Sequence, residues 1–507
     1  MAHKRSLLNL LLVAAVVLAA CAVSVGGATA APAPQTAITG TATITGTSAI
    51  TSTSAMTSTA PITSTSTMTS TAPITSTSTV TGTSGAAGGQ TFTTWFQYDQ
   101  TNTDPKADEA AGNAYLAAEI PQFNQQFAGK WNWVNVPQAF DKMQALLITA
   151  VQSGGEVPDL FDADNIPMNA FIKNGAAQDL TAWAQQQSWY SQLDPSALST
   201  CKGPDGKLYC IPVATQPYVV FVWKELWPLG YPKTPESFMT EAARLKTQGH
   251  YAMTFFGSTD FEGEAINRFM SMAVLSYGGT FDDGKGNMLL NTPEDVAAVQ
   301  MMRNIVSDGY VPEIAFAGQF AEENAIKDAS AASFPTGLFG YRYLNPLTAP
   351  DGKQFNTGTQ QDMLNAINAG EIYLAPLFAP DGKTPSCNLG ADSFVIPTGA
   401  KNVDAAHDFI NWMMDPAQNP GYVTGPGGGF PALKSSLSAP LFQAQFYKEA
   451  ADVLSQSPCR PWYGSLQDIP RAQKEIVDTF YDLIKANPTE DIATALQNTQ
   501  DQYNAGN

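Results

Sequence analysis

Beyond residue 90, hydrophobic and polar positions switch repeatedly between a period of two and a period near 3.6. Residues 91–97 alternate and are rich in aromatics, which predicts a strand. A helix is predicted over 107–127, then a strand over 131–136. Phe140, Met143, Leu147 and Val151 recur at helical spacing until Gly154-Gly155 ends the run. Residues 158–161 predict a third strand. This alternation of strand and helix predicts a parallel sheet with helices on its faces.

The stretch from Cys201 to Trp227 organises the middle of the chain. Pro204-Asp205-Gly206 combines three turn-forming residues, and residues 208–211 predict a short strand that Pro212 stops. Residues 218–223 are aromatic or β-branched throughout, the pattern of a strand buried on both faces of a parallel-type sheet. With polar Thr215 and Gln216 in the gap, the segment suits a hinge between two lobes; a hairpin followed by a core strand fits the same residues. Further on, Thr234-Pro235-Glu236 and Thr292-Pro293-Glu294 are helix starts, each a cap, an N1 proline and an acid. Strands are predicted over 252–256, 372–377 and 393–396, and helices over 264–277, 403–414, 471–486 and 489–503.

The first ninety residues follow another logic. Lys4 and Arg5 precede a fourteen-residue apolar run from Leu7 to Ala20, too short to span a bilayer, as in a secretory signal over 1–20. Leu18-Ala19-Ala20-Cys21 resembles a bacterial lipobox, which would make Cys21 the lipid-modified first residue of a protein held on the outer face of the membrane. Cleavage near Ala30 and free secretion is the alternative. From 21 to 90 the chain is mostly Thr, Ser, Ala, Pro and Gly and contains a near-perfect twelve-residue repeat (TSTSAMTSTAPI, TSTSTMTSTAPI), a composition expected to stay disordered as a tether. Seventy such residues reach about 45 Å.

Charge narrows the partners. The formal net charge is −19, and removal of Lys4 and Arg5 would deepen it. Nucleic acid is excluded, since its phosphates need a basic surface, and neutral or cationic ligands are favoured over anionic ones. Four cysteines remain after Cys21, an even number in an exported chain, which favours disulfides with three connectivities open. Cys201 and Cys210 flank a turn and are expected to pair, with Cys387–Cys459 as the second bridge. None has zinc spacing, and neither a metal nor a cofactor is expected. Three PDG turns, at Pro204, Pro350 and Pro380, read as surface turns.

The order of these signals resembles the extracellular solute-binding proteins of ABC importers, in the sugar-binding group that includes maltose-binding protein. The matching segments are Trp95 ending the first strand, Gly155-Glu156-Val157-Pro158-Asp159-Leu160, Gly206-Lys207-Leu208-Tyr209-Cys210-Ile211-Pro212, the run from Tyr218, Thr234 to Phe238, Asn388 to Asp392, and Ala406 to Met413. Two segments depart from the pattern: 328–334 stands where a G-K-x-A-M segment is usual, and Trp223-Lys224 replaces a Tyr-Asn pair. The resemblance implies an α/β fold of type II periplasmic binding proteins, two lobes each built on a mostly parallel sheet and joined by hinge crossings. The lobes would be 91–213 with 391–425, and 218–386 with 430–507. It also implies a monomer that passes a saccharide to membrane permease subunits.

Mapped onto this sequence, the resemblance implies ligand contacts from Tyr98, Asp99, Asp162, Asp164, Asn165, Thr215, Gln216, Asp260, Phe261, Glu262, Phe339, Tyr341, Arg342, Asp392, Trp462 and Tyr463. Aromatic rings pack on the apolar faces of a sugar, and carboxylates and amides satisfy its hydroxyls once water is excluded. Gly425 to Gly429 lacks the Lys-Ser/Thr of a phosphate loop and reads as a third crossing. Two other functions fit the residues less well: a binding protein for a polyamine or another cation, using the acids as a cage, and a glycosidase using two carboxylates among Asp260, Glu262 and Glu264.

Overall fold

Three parallel strands start the folded part: β1 (Gln90–Trp95), β2 (Trp131–Asn135) and β3 (Leu160–Asp164), with β1 between the other two. They are described in a computed structural model covering residues 89–506, apart from 108, 165–167, 261–264 and 467. The expected signal, lipobox and tether, including Cys21, lie outside the described residues.

Helix α1 (Ala110–Gln126) joins β1 to β2, and α2 (Phe140–Ser153) joins β2 to β3. Gly154 ends α2 at φ 67°, where a side chain would be strained. The alternation read from the sequence has a direct cause: Phe92 of β1 and Phe96 just after it point inward, meeting Phe123, Trp133, Phe394 and Phe409 with ring centroids 5.4–6.2 Å apart. Asp159, ahead of β3, is buried, and its carboxylate accepts from the backbone N–H groups of Thr93 (2.8 Å), Lys401 (3.1 Å) and Asn402 (2.8 Å). It thereby ties the middle of β1 to the N-terminus of α3 (Val403–Met413).

The central element is β4 (Ile211–Trp223), a single thirteen-residue strand. Its first half pairs antiparallel with β5 (Cys387–Val395), and its second half, from Tyr218, pairs antiparallel with β6 (Ser333–Gly337) and β7 (Ile372–Ala375). Strand β5 in turn lies antiparallel to β3 and parallel to β8 (Cys459–Pro461). The sheet is therefore mixed. It is parallel where β1, β2 and β3 meet and antiparallel along β4, which corrects the parallel neighbours expected for residues 218–223. Burial of β4 on both faces holds: all its residues except Gln216 are buried.

Two other expectations change. Pro212 does not stop the strand, because the register of β4 on β5 shifts between Pro212 and Ala214, and a proline without an N–H fits at such an irregularity. Pro217 falls where β4 exchanges partners. Residues 252–256 join no ladder, and only the preceding Tyr251 makes an isolated bridge, to Ala331. The two helix starts are capping boxes, Thr234 with Ser237 and Thr292 with Asp295. Both expected disulfides, Cys201–Cys210 and Cys387–Cys459, are formed.

Candidate functional site

Where β4 and β5 pass from one set of partners to the other, a third segment runs beside them. Residues 425–429 must be mostly glycine for reasons of space. A Cβ on Gly429 would stand 1.9 Å from the Thr215 carbonyl oxygen, and one on Gly425 2.7 Å from Tyr115 Cβ. Gly428 adopts φ 66° with the Arg342 guanidinium against it.

Hydrogen bonds lock the three segments together. Gln216 Nε2 donates to Asp392 Oδ2 (3.0 Å) and to the Gly427 carbonyl (2.7 Å). Arg342 Nη1 donates to the carbonyls of Gly425 (2.5 Å) and Pro426 (2.9 Å), and Tyr98 Oη also donates to Pro426 (2.9 Å). Residues far apart in sequence thus converge on one peptide group.

Above this junction opens a cleft of about 1720 Å³. Its wall carries a continuous row of rings. Trp462 meets Tyr218 edge-on at 5.2 Å, and Tyr218 meets Phe339 at 6.1 Å. The Arg268 guanidinium then lies 5.9 Å from the Phe339 ring and 5.3 Å from Phe256, which meets Phe320 at 6.1 Å. Trp462 is almost fully buried, and its indole Nε1–H has no hydrogen-bond partner. A buried donor left in this way is costly unless a ligand supplies an acceptor.

The floor is acidic but moderated. Loss of water pushes the Asp162 carboxyl up to about 7, opposed by a 2.6 Å hydrogen bond from Tyr422 Oη and reinforced by the Asp164 charge. Asp392 is held well above the usual carboxylate range, chiefly by burial, with Asp162 and Asp164 adding and Arg342 opposing. Among the charged residues lining the cleft, Asp104, Glu109, Asp164, Glu323 and Asp392 face Lys106, Arg268, Lys327 and Arg342. The cleft is close to charge balance although the whole chain carries −19.

Residues 118–450 match the family described as bacterial extracellular solute-binding protein. The chain belongs to that family. Its members work outside the cytoplasm, as substrate-binding components of transporters. Among the described residues no helix is long and apolar enough to cross a membrane, and no group of His, Cys, Asp and Glu could hold a metal ion. The fold is that of type II periplasmic binding proteins. An ABC transporter solute-binding protein from Thermotoga lettingae TMO, bound with α-D-tagatose, aligns at TM-score 0.65 and 17% identity, covering 82% of this chain and 99% of that one. A solute-binding protein from Agrobacterium radiobacter K84 in complex with ribitol aligns at 0.63 and 18%, covering 83% and 98%. The cyclic α-maltosyl-1,6-maltose binding protein from Arthrobacter globiformis aligns at 0.62 and 17%, covering 82% and 99%.

Of the site residues expected from sequence, Tyr98, Asp164, Gln216, Phe339, Arg342, Asp392 and Trp462 line the cleft. Six others lie off it. Asp99 closes a local turn onto Thr101, and Asp162 sits behind the floor under Tyr422. Thr215 Oγ1 donates to the Phe430 carbonyl across the crossing. Tyr341 is buried against Phe446, and Tyr463 is buried with its hydroxyl accepting from Asn267 (2.6 Å). Asp260 is exposed, its Oδ2 filling the space a Cβ on Gly318 would need. Asn165, Phe261 and Glu262 lie outside the described residues. Sequence reasoning missed Tyr218 on β4, Phe256 and Phe320 in loops and Arg268 on a helix in the wall, because which way each side chain faces is set by distant packing partners.

Proposed function

We propose that this protein is the extracytoplasmic receptor of an ABC importer, capturing a neutral sugar in the cleft and delivering it to membrane permease subunits. One observation carries the reading: a near charge-balanced cleft whose wall is a row of rings and whose floor offers Asp164, Asp392 and Gln216. Rings bury the apolar faces of a sugar, while carboxylates and amides at fixed angles satisfy its hydroxyls. Solute-binding proteins of like fold with tagatose, ribitol and a cyclic maltosyl-maltose as ligands support the same class.

Binding would close two lobes, 91–213 with 391–425 and 218–386 with 430–507, about the crossings at Gln216, Asp392 and 425–429, with ligand favouring the closed state. The chain would act as a monomer without a cofactor, anchored through lipid on Cys21 and extended from the membrane by the Thr/Ser tether. A cage for a polyamine would need acids in clear excess, which the four basic side chains of the lining offset. Catalysis forms no part of the proposal. The glycosidase pair would draw on Glu262 or Glu264, outside the described residues, beside an Asp260 that lies off the cleft.

A thermal-shift screen of monosaccharides, oligosaccharides and polyols against spermidine and choline tests the reading. A ligand at a hundred times its dissociation constant adds about 2.7 kcal/mol. Stabilisation by spermidine or choline and by no saccharide would overturn it, and hydrolysis of a glycoside lost on Glu262→Gln would replace it with an enzyme.

A further inference from the structure

At the rim of the cleft the backbone does something unusual. Gly318, Gln319 and Phe320 follow one another at φ 77°, 54° and 60°, and the Ala321 N–H donates to the Gly318 carbonyl at 3.1 Å. Positive φ at both central positions is the signature of a type I′ turn, which normally takes Asn or Gly there. Here those positions hold Gln and Phe, for which the left-handed region is unfavourable. Gly318, at φ 77°, takes the left-handed conformation that glycine allows, and the next turn is held by Thr254 Oγ1 donating to the Glu322 carbonyl at 3.0 Å.

The result is a large aromatic side chain left 47% exposed while lining the cleft. It is also the most exposed of the rings described in that row. Trp462 and Tyr218 are 3% exposed, Phe256 is 6% exposed and Phe339 is half-buried, against 47% for Phe320. A ligand filling the buried end alone would leave Phe320 uncovered. The cleft, at about 1720 Å³, is also larger than the roughly 300–1,000 Å³ typical of small-molecule sites.

We infer that the Gly318–Phe320 turn is a strained mount that presents Phe320 as an outer stacking platform, so that the cleft selects an oligosaccharide over the monosaccharide of the same series. The inference rests on the sugar-receptor reading above. A sugar ring beyond the one packed near Trp462 lies on Phe320, and its apolar face covers the exposed ring.

Calorimetric titration of the full chain with mono-, di- and trisaccharides of the gluco, xylo, manno and galacto series tests it. Wild type is expected to bind the trisaccharide of one series more tightly than its monosaccharide. Phe320→Ala should weaken the trisaccharide about tenfold, the size of one ring's packing, and leave the monosaccharide unchanged. Phe320→Trp should restore the preference. Gln319→Gly should raise the unfolding midpoint, by relieving the backbone, with affinity unchanged. Equal weakening of mono- and trisaccharide by Phe320→Ala overturns the inference, as does equal affinity of wild type for both, while leaving the receptor reading standing. Binding of no saccharide to wild type overturns both.

Discussion

The Cys387–Cys459 disulfide gives the most quantitative handle on how the site is held. It closes a loop of 72 residues, against 9 for Cys201–Cys210. On the chain-entropy account, which scales with the logarithm of loop length, the long bridge contributes about 4.4 kcal/mol and the short one about 2.6 kcal/mol. The long bridge also joins β5 to β8 at the paired positions Cys387 and Cys459, so the next residues, Arg460 and Pro461, lie beside Asn388 and Leu389. That lays Trp462 beside the Gly390–Asp392 crossing. Cys387→Ala/Cys459→Ala should therefore lower stability in urea by about 4 kcal/mol and weaken ligand as well. Cys201→Ala/Cys210→Ala should cost less and leave affinity nearly intact, since that bridge sits away from the cleft lining. Urea unfolding of the two variants, followed by titration with whichever ligand the thermal screen identifies, decides between them. A larger stability loss from the short bridge, or unchanged affinity without the long one, would refute the reasoning.

Gly429→Ala should cost about 3 kcal/mol, because the added Cβ meets the Thr215 carbonyl and backbone cannot yield there. Gly206→Ala, at φ 77° in open space, should cost about 1 kcal/mol from backbone strain alone, and urea midpoints of the pair would show any reversed order. Stability should fall between pH 4 and pH 7. Asp162 and Glu322 have folded-state pKa values raised to about 7 and Asp295 to about 6, mainly by burial, so the folded state holds protons that the unfolded state has released above pH 4. Their contribution is complete below pH 4 and lost as pH rises through 6 to 7. Asp162→Asn should flatten that slope, and a stability that rose steadily from pH 4 to pH 7 would contradict the assignment. Trp462→Ala should weaken ligand by tenfold or more while Tyr463→Phe, whose hydroxyl faces Asn267 away from the cleft lining, should leave affinity unchanged in the same titration.

Local chemistry was legible in the chain. Alternation in β1, the Gly154 stop and the two helix starts at Thr234 and Thr292 depend on near neighbours alone, and each appears where its residues placed it. Both disulfide pairs were also legible. The glycine run at 425–429 could be read as a crossing, because so many small residues together signal backbone passing close to backbone. What depended on distant partners was not. Whether Pro212 ends a strand is settled by a register shift on β5, some 180 residues away, that leaves its missing N–H without cost. Whether a tyrosine is core or wall is equally remote: Tyr218 and Tyr341 share a composition, yet Phe339 and Trp462 draw one to the cleft while Phe446 buries the other. The left-handed turn at Phe320 has no signature of its own, since Gln-Phe disfavours it, and the restraint beside it is remote in sequence: Thr254 Oγ1 holds the Glu322 carbonyl. Sequence determined the elements and the type of cleft to expect; packing between segments far apart along the chain decided which side chains face it.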